Sequence, residues 1–116
     1  MIVVVQGTPE FNEYSVFLRA VSVALSGMKD DDKEFTIYSV GPANINSFVS
    51  EFSNISEKGM KARGKKIKFH KVPSSWVEDN IEYVDYFAYL CKPKQKSSKL
   101  VGIAELNNIE VGIFQY

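Results

Sequence analysis

The chain has 116 residues, 45% of them apolar and 24% charged, with no net formal charge at neutral pH. That composition suits one ordinary globular domain and excludes a disordered chain. One cysteine, Cys91, excludes an internal disulfide and a cysteine-built zinc site and fits a reducing compartment; no run reaches the roughly 18 apolar residues of a membrane span.

The N-terminal MIVVVQG carries no basic leader and reads as a strand, so a cytoplasmic protein with a single domain over residues 1–116 is expected. Within it, Ile2 to Gln6 is a β-branched run without alternation, as in a central strand covered on both faces. Gly7, Thr8 and Pro9 break it, and Asn12 stands where an N-cap belongs.

A helix over 13–28 follows. Tyr14, Phe17, Leu18, Val21, Ala24, Leu25 and Met28 form one apolar face, and Val16, Ala20 and Val23 add a second strip. A helix apolar on two sides is buried on two sides, one facing the sheet and the other open to a partner subunit. After the charged turn KDDDKE, FTIYSV is a second strand ended by Gly41 and Pro42. Asn44 is placed to cap a helix with Ile45, Phe48, Val49, Phe52 and Ile55 on one face, weakened by Gly59 and stopped by Gly64.

KIKFHKV, over 66–72, is a third strand. Its alternation and lysines suit a sheet edge. Pro73 ends it, Ser74 or Ser75 caps a short helix carrying Trp76, and VDYFAYL, over 84–90, is a fourth strand. The loop from Cys91 leads to a last helix capped by Ser97 or Ser98, with Leu100, Val101, Ala104 and Ile103 or Leu106 inward. IEVGIF, over 109–114, is the fifth strand. Alternation of this kind implies an α/β fold, a Rossmann-like three-layer sandwich whose five-stranded, mostly parallel sheet has the order 3-2-1-4-5.

In such sheets ligands bind beyond the carboxyl ends of the strands, where the strand order reverses. The loops reaching that crevice start at Gly7, Gly41 and Cys91, and each leads to a helix N-terminus, a favourable place for anions. The third loop holds Lys92, Lys94, Lys96 and Lys99 together with the hydroxyls of Ser97 and Ser98. It reads either as a phosphate site or as a solvated basic loop. Charge is also split along the chain. Residues 1–57 carry three basic residues against eight acids, a balance of −5, and residues 58–116 carry eleven against six, a balance of +5. The split fits an anion-binding face, two subunits meeting head to tail, or plain solvated surface.

The segment Val40-Gly41-Pro42-Ala43-Asn44-Ile45-Asn46-Ser47-Phe48 resembles the G-G-A-x-G-A-D turn of short members of the SLOG superfamily. These are the Rossmann-like domains that include the LOG (lysine-decarboxylase-like) and DprA proteins. Gly41 matches a glycine, Asn44 replaces a glycine and Asn46 replaces the acid. The last unit, over 84–114, is similar to the family's final strand, loop, helix and strand, with 92–98 standing, without a glycine, where the family often has G-G-x-G-T. The resemblance implies binding of a nucleotide or nucleotide-like ligand. The catalytic Arg and Glu of the LOG enzymes have no counterpart here, so it implies the fold and a site but not the reaction. The chain is also similar to short proteins encoded by tailed phages.

Other candidates have plainer readings beside them. His70 is the only histidine, so no Ser-His-Asp set and no histidine metal cluster is readable. Lys92 is placed to lower the pKa of Cys91, or the thiol is structural. Asp30, Asp31 and Asp32 lie in a turn at the opposite end of the sheet, and Glu78, Asp79, Glu82 and Asp85 show no shared pocket. Seven basic residues over 58–71 allow nucleic acid, but zero net charge and the lack of a recognition motif argue against it.

Two functions are therefore expected from the sequence, ahead of a third, an enzyme, for which no base or nucleophile is identifiable. One is binding of a nucleotide or other phosphorylated small molecule without catalysis, through Gly7, Thr8, Gly41, Asn44, Asn46, Lys92, Lys94, Ser97, Ser98 and Lys99. The other is a non-enzymatic protein that forms homo-oligomers or binds another protein through helix 13–28. No catalytic residue, metal, cofactor or membrane contact is expected in either.

Overall fold

The computed structural model describes residues 1–41, 43–95 and 98–116, with Ala43 described in its backbone alone. Strands β1 (Ile2–Gly7), β2 (Glu34–Val40), β3 (Lys66–Lys71), β4 (Tyr86–Cys91) and β5 (Glu110–Gln115) alternate with helices α1 (Tyr14–Ser26), α2 (Ala43–Ala62), α3 (Ser74–Asp79) and α4 (Lys99–Leu106). The sheet order is β3-β2-β1-β4-β5, as expected from the sequence, and all four pairings are parallel.

Residue alternation along the strands divides the core into two layers. Val3 and Val5 of β1 face α1 and α2 and pack with Phe17, Val21, Phe35 and Ile37. Val4 faces the other way and packs with Val77, Phe87, Leu100 and Val101 beneath α3 and α4. A strand with both faces covered has no polar side to show, which is why IVVV does not alternate. Completely burying one such valine, leucine or phenylalanine side chain contributes about 1.5–3 kcal/mol.

Several element ends differ from expectation. α1 begins one residue late, with Glu13 at its N-cap and no side-chain cap bond. Asn12 does not cap it, because its Oδ1 accepts from Asn44 Nδ2 at 3.3 Å. The helix ends at Ser26, two residues before Met28, and Gly27, a glycine suited to a helix terminus, closes it through bonds from its N–H to the carbonyls of Ala24 and Leu25. Asn44 lies inside α2 rather than at its cap, and its side chain donates to the Phe11 carbonyl. The helix runs on through the exposed Gly59, since Met60 beyond it is buried, and Gly64 ends the turn at φ 72°.

Neither Ser74 nor Ser75 caps α3, whose N-cap position is Pro73. β4 starts at Tyr86, and just before it Asp85 donates its N–H to the Ile2 carbonyl at 2.8 Å and accepts from the Ile2 N–H on its carboxylate at 2.7 Å. It extends to Cys91, which pairs with Gln115. Of Ile103 and Leu106, Ile103 is the one that packs against the core, and Leu106 is 85% exposed. On the edge strand β3 both Phe69 and His70 are exposed, so alternation there does not sort one inward.

Candidate functional site

The strand order reverses between β1 and β4, and the loops after these strands leave on opposite faces of the sheet. On the α1 and α2 face the crevice is filled from within. Phe11 is fully buried and meets Phe48 and Tyr116 edge-on, with ring centroids 6.0 and 5.0 Å away. Thr8 donates its N–H to the Leu90 carbonyl at 3.2 Å, and its hydroxyl bonds the Tyr116 hydroxyl.

Gly7 is a glycine for want of space. A Cβ there would lie 2.2 Å from Ile45 Cδ1 and 3.4 Å from Phe11 Cβ. Gly41 sits at φ 120°, where a Cβ would stand 2.9 Å from the Gly7 carbonyl oxygen, so the two glycines let the ends of β1 and β2 meet. Asn46 accepts a hydrogen bond from the Ser39 hydroxyl at the end of β2. Thr8, Asn46 and the amide nitrogen of Asn44 thus hold this edge together, while Asn44 Oδ1 is buried with no hydrogen-bond partner among the described residues.

On the α3 and α4 face the same edge is open. A hollow of about 580 Å³ is lined by Gln6, Val40, Gly41, Lys71, Val72, Pro73 and Ser74. Gln6 joins it to α4, since its Oε1 accepts from the Ser98 hydroxyl at 2.7 Å. Ser98 Oγ in turn accepts from the Val101 N–H at 3.2 Å and caps α4, one of the two serines expected there. Ser97 lies outside the described residues, as does Lys96.

Lys92 and Lys94 are exposed on a tight turn, with Lys94 at φ 66° and the Lys92 N–H donating to Gln95 Oε1 at 3.0 Å. Lys99 pairs with Glu78 of α3 at 3.0 Å. Deeper along this face Trp76 stacks on Tyr38 with 4.2 Å between ring centroids, and Tyr38 on His70 with 5.4 Å.

The structure thus brings Gly41, Gln6 and Ser98 to one place, puts Gly7, Thr8 and Asn44 in the packing beneath, and leaves Asn46 half-buried at a second hollow along α2. Gln6 and Lys71 escape the sequence reading. The one signal for Gln6 is its polarity at the end of an otherwise apolar strand, and Lys71 has none beyond its place in a basic run.

Cys91 is buried against the α4 layer, and burial pushes its thiol up from the ordinary thiol range rather than Lys92 pulling it down. A group whose folded pKa is raised contributes stability below its unfolded pKa and loses it as pH climbs through the folded value. Burial also raises the phenols of Tyr14, Tyr86 and Tyr89, in the same direction. Urea-denaturation stability should therefore hold to about pH 8 and fall above it. Native Cys91 should react with a thiol reagent at least about tenfold more slowly than the urea-unfolded chain. Equal rates would show the thiol to be accessible.

Among the described residues no group of three or more His, Cys, Asp or Glu side chains is placed to hold a metal ion, and no helix is long and apolar enough to cross a membrane. Comparison with protein-family models, with curated proteins and with solved structures finds no match. What stands is a Rossmann-like α/β fold, a type often associated with small-molecule binding at this edge of the sheet.

Proposed function

We propose that the chain binds a nucleotide or another phosphorylated small molecule at the carboxyl edge of its sheet, without catalysing a reaction on it. The observation that carries this reading is the hollow between Gln6, Gly41, Lys71 and Ser74, joined through Gln6 and Ser98 to the N-terminus of α4. Free N–H groups at the helix start and Lys71, which lines the hollow, favour an anion there, with Lys92, Lys94 and the Glu78-paired Lys99 in and after the loop that leads to α4. Gly7, Thr8, Asn44 and Asn46 serve this site from below, by fixing the strand ends that frame it. In this reading the chain is a SLOG-like protein with a glycine-poor phosphate loop that includes Ser97. It is a single domain over residues 1–116, of the small kind that tailed phages encode, working in the cytoplasm.

A ligand that binds only the folded state raises its melting temperature, by about 2.7 kcal/mol of stability at a hundredfold excess over Kd. One class among nucleoside mono-, di- and triphosphates should raise Tm by several degrees at millimolar concentration, and Lys71→Glu with Ser98→Ala should abolish the rise. No shift with any of them at that concentration would remove the reading.

A second reading, self-association, is favoured by the apolar side chains that α1 leaves in solvent, Leu18 at 39% and Val23 at 45% exposure. It makes the chain a homo-oligomer through helix 13–28 and is compatible with a ligand at the edge of the sheet.

A further inference from the structure

The sheet ends at β3 and β5, and the two free edges differ in kind. β3 reads KIKFHK, so pairing it with its own copy brings three lysines and no acid from each chain together, which is unfavourable. β5 reads EVGIFQ, with one charge, no lysine and no proline. The Tyr116 N–H bonds back to the Cys91 carbonyl at 3.1 Å. By alternation, Val111, Ile113 and Gln115 turn their N–H and C=O groups to the open side. Ile113 is 48% exposed.

Beside this edge the Arg19 guanidinium of α1 lies over the Phe114 ring, 5.8 Å from its centroid. Val16 and Val23, three residues before and four after Arg19, share its helical stripe. Among the described residues neither Arg19 nor Glu110 has an ion-pair partner within the chain.

We propose that the chain forms a two-fold dimer by antiparallel pairing of β5 with β5 of a second copy, in which Arg19 of each copy meets Glu110 of the other. This rests on the self-association reading and moves its main contact from helix 13–28 to β5, with Arg19 of that helix at its rim. Two registers match the outward backbone groups along most of the strand, centred on Gly112 or on Ile113. Residues 110, 112 and 114 share one face. The first register sets Glu110 directly opposite Phe114 of the second copy, and the second sets it on the diagonal, within reach of a long side chain. In both, the guanidinium resting on Phe114 faces a carboxylate, and symmetry makes the contact twice. On the other face Val111 meets Ile113 of the second copy in the first register, and Ile113 meets its own counterpart in the second. A surface that complements itself in this way is what a closed two-fold interface requires.

Sedimentation or light scattering from about 1 to about 200 µM should give twice the mass of the chain. Arg19→Glu and Glu110→Arg should each raise the dimer dissociation constant about tenfold or more, and the double variant should return it toward the starting value. Ile113→Lys, on an exposed side chain, should abolish the dimer with the circular dichroism spectrum unchanged, and Leu18→Lys, on the other flank of α1, should leave it intact. A monomer throughout that range overturns both this dimer and self-association. A dimer lost with Leu18→Lys but indifferent to Ile113→Lys and to both charge reversals leaves self-association standing and overturns the β5 edge.

Discussion

Phe11→Ala should lower the unfolding free energy by about 3–5 kcal/mol, the cost of emptying a large buried aromatic site. Phe11 is fully buried although it belongs to no helix or strand, and it closes the carboxyl edge of β1 from above. Its ring, in the loop after β1, meets Phe48 of α2 and Tyr116 at the end of the chain. Its removal therefore unsettles three segments far apart in sequence. In a domain near 100 residues each kcal/mol moves Tm by roughly 4–8 °C, so a fall of about 15 °C or more is expected. Phe11→Leu, which keeps most of the volume, should cost about 1–2 kcal/mol. The nucleotide titration of Phe11→Leu should match that of the parent chain if the open hollow on the other face is the binding site. A loss below about 1 kcal/mol for Phe11→Ala would show the crevice to be held by something other than this ring.

The layered order was legible because its signals are local. The unbroken IVVV run marks a strand covered twice, and the lysines of KIKFHK mark an edge. The helical stripe through Phe17, Val21 and Ala24 is the buried stripe of α1. Element ends were less legible, because they depend on partners remote in sequence. Asn12 and Asn44 each look like caps alone, yet they bond one another across 32 residues. Cys91 reads as loop until β5 pairs with it. The site divided the same way. Gly41 and Ser98 stand out by residue type and position, and both lie at the open edge. Thr8, Asn44 and Asn46 stand out equally, but their side chains are occupied in packing that only the tertiary structure reveals. Polar residues at strand ends serve a ligand or the fold, and their type alone does not say which.

Lys65 is the clearest case of a residue whose role its neighbours in sequence conceal, and its replacement is the second large effect expected. It sits among the seven basic residues over 58–71, a stretch that reads as basic enough to allow nucleic acid, yet it is only 8% exposed. Its ammonium donates to the carbonyls of Lys29, Asp30 and Asp32 at 3.0, 3.2 and 2.6 Å, using all three N–H groups on the turn between α1 and β2. Charge-assisted bonds are the stronger kind, and three of them converge here on one ammonium. Lys65→Met, which keeps the apolar stem, should therefore cost about 2–4 kcal/mol in urea denaturation. Lys65→Arg should recover only part of it, because a planar fork cannot point three donors at one turn. The same turn has an acid limb. The Lys29 N–H, donating to the Asp32 carboxylate at 2.8 Å, holds that group below the usual carboxylate range, with Lys65 adding to the shift. A lowered folded pKa contributes stability above the unfolded value of about 4 and loses it as pH falls through the folded one. The stability difference between the parent chain and Lys65→Met should accordingly narrow below about pH 4, as Asp32 takes up its proton. A variant as stable as the parent at neutral pH would mean that water serves the three carbonyls as well as the ammonium does.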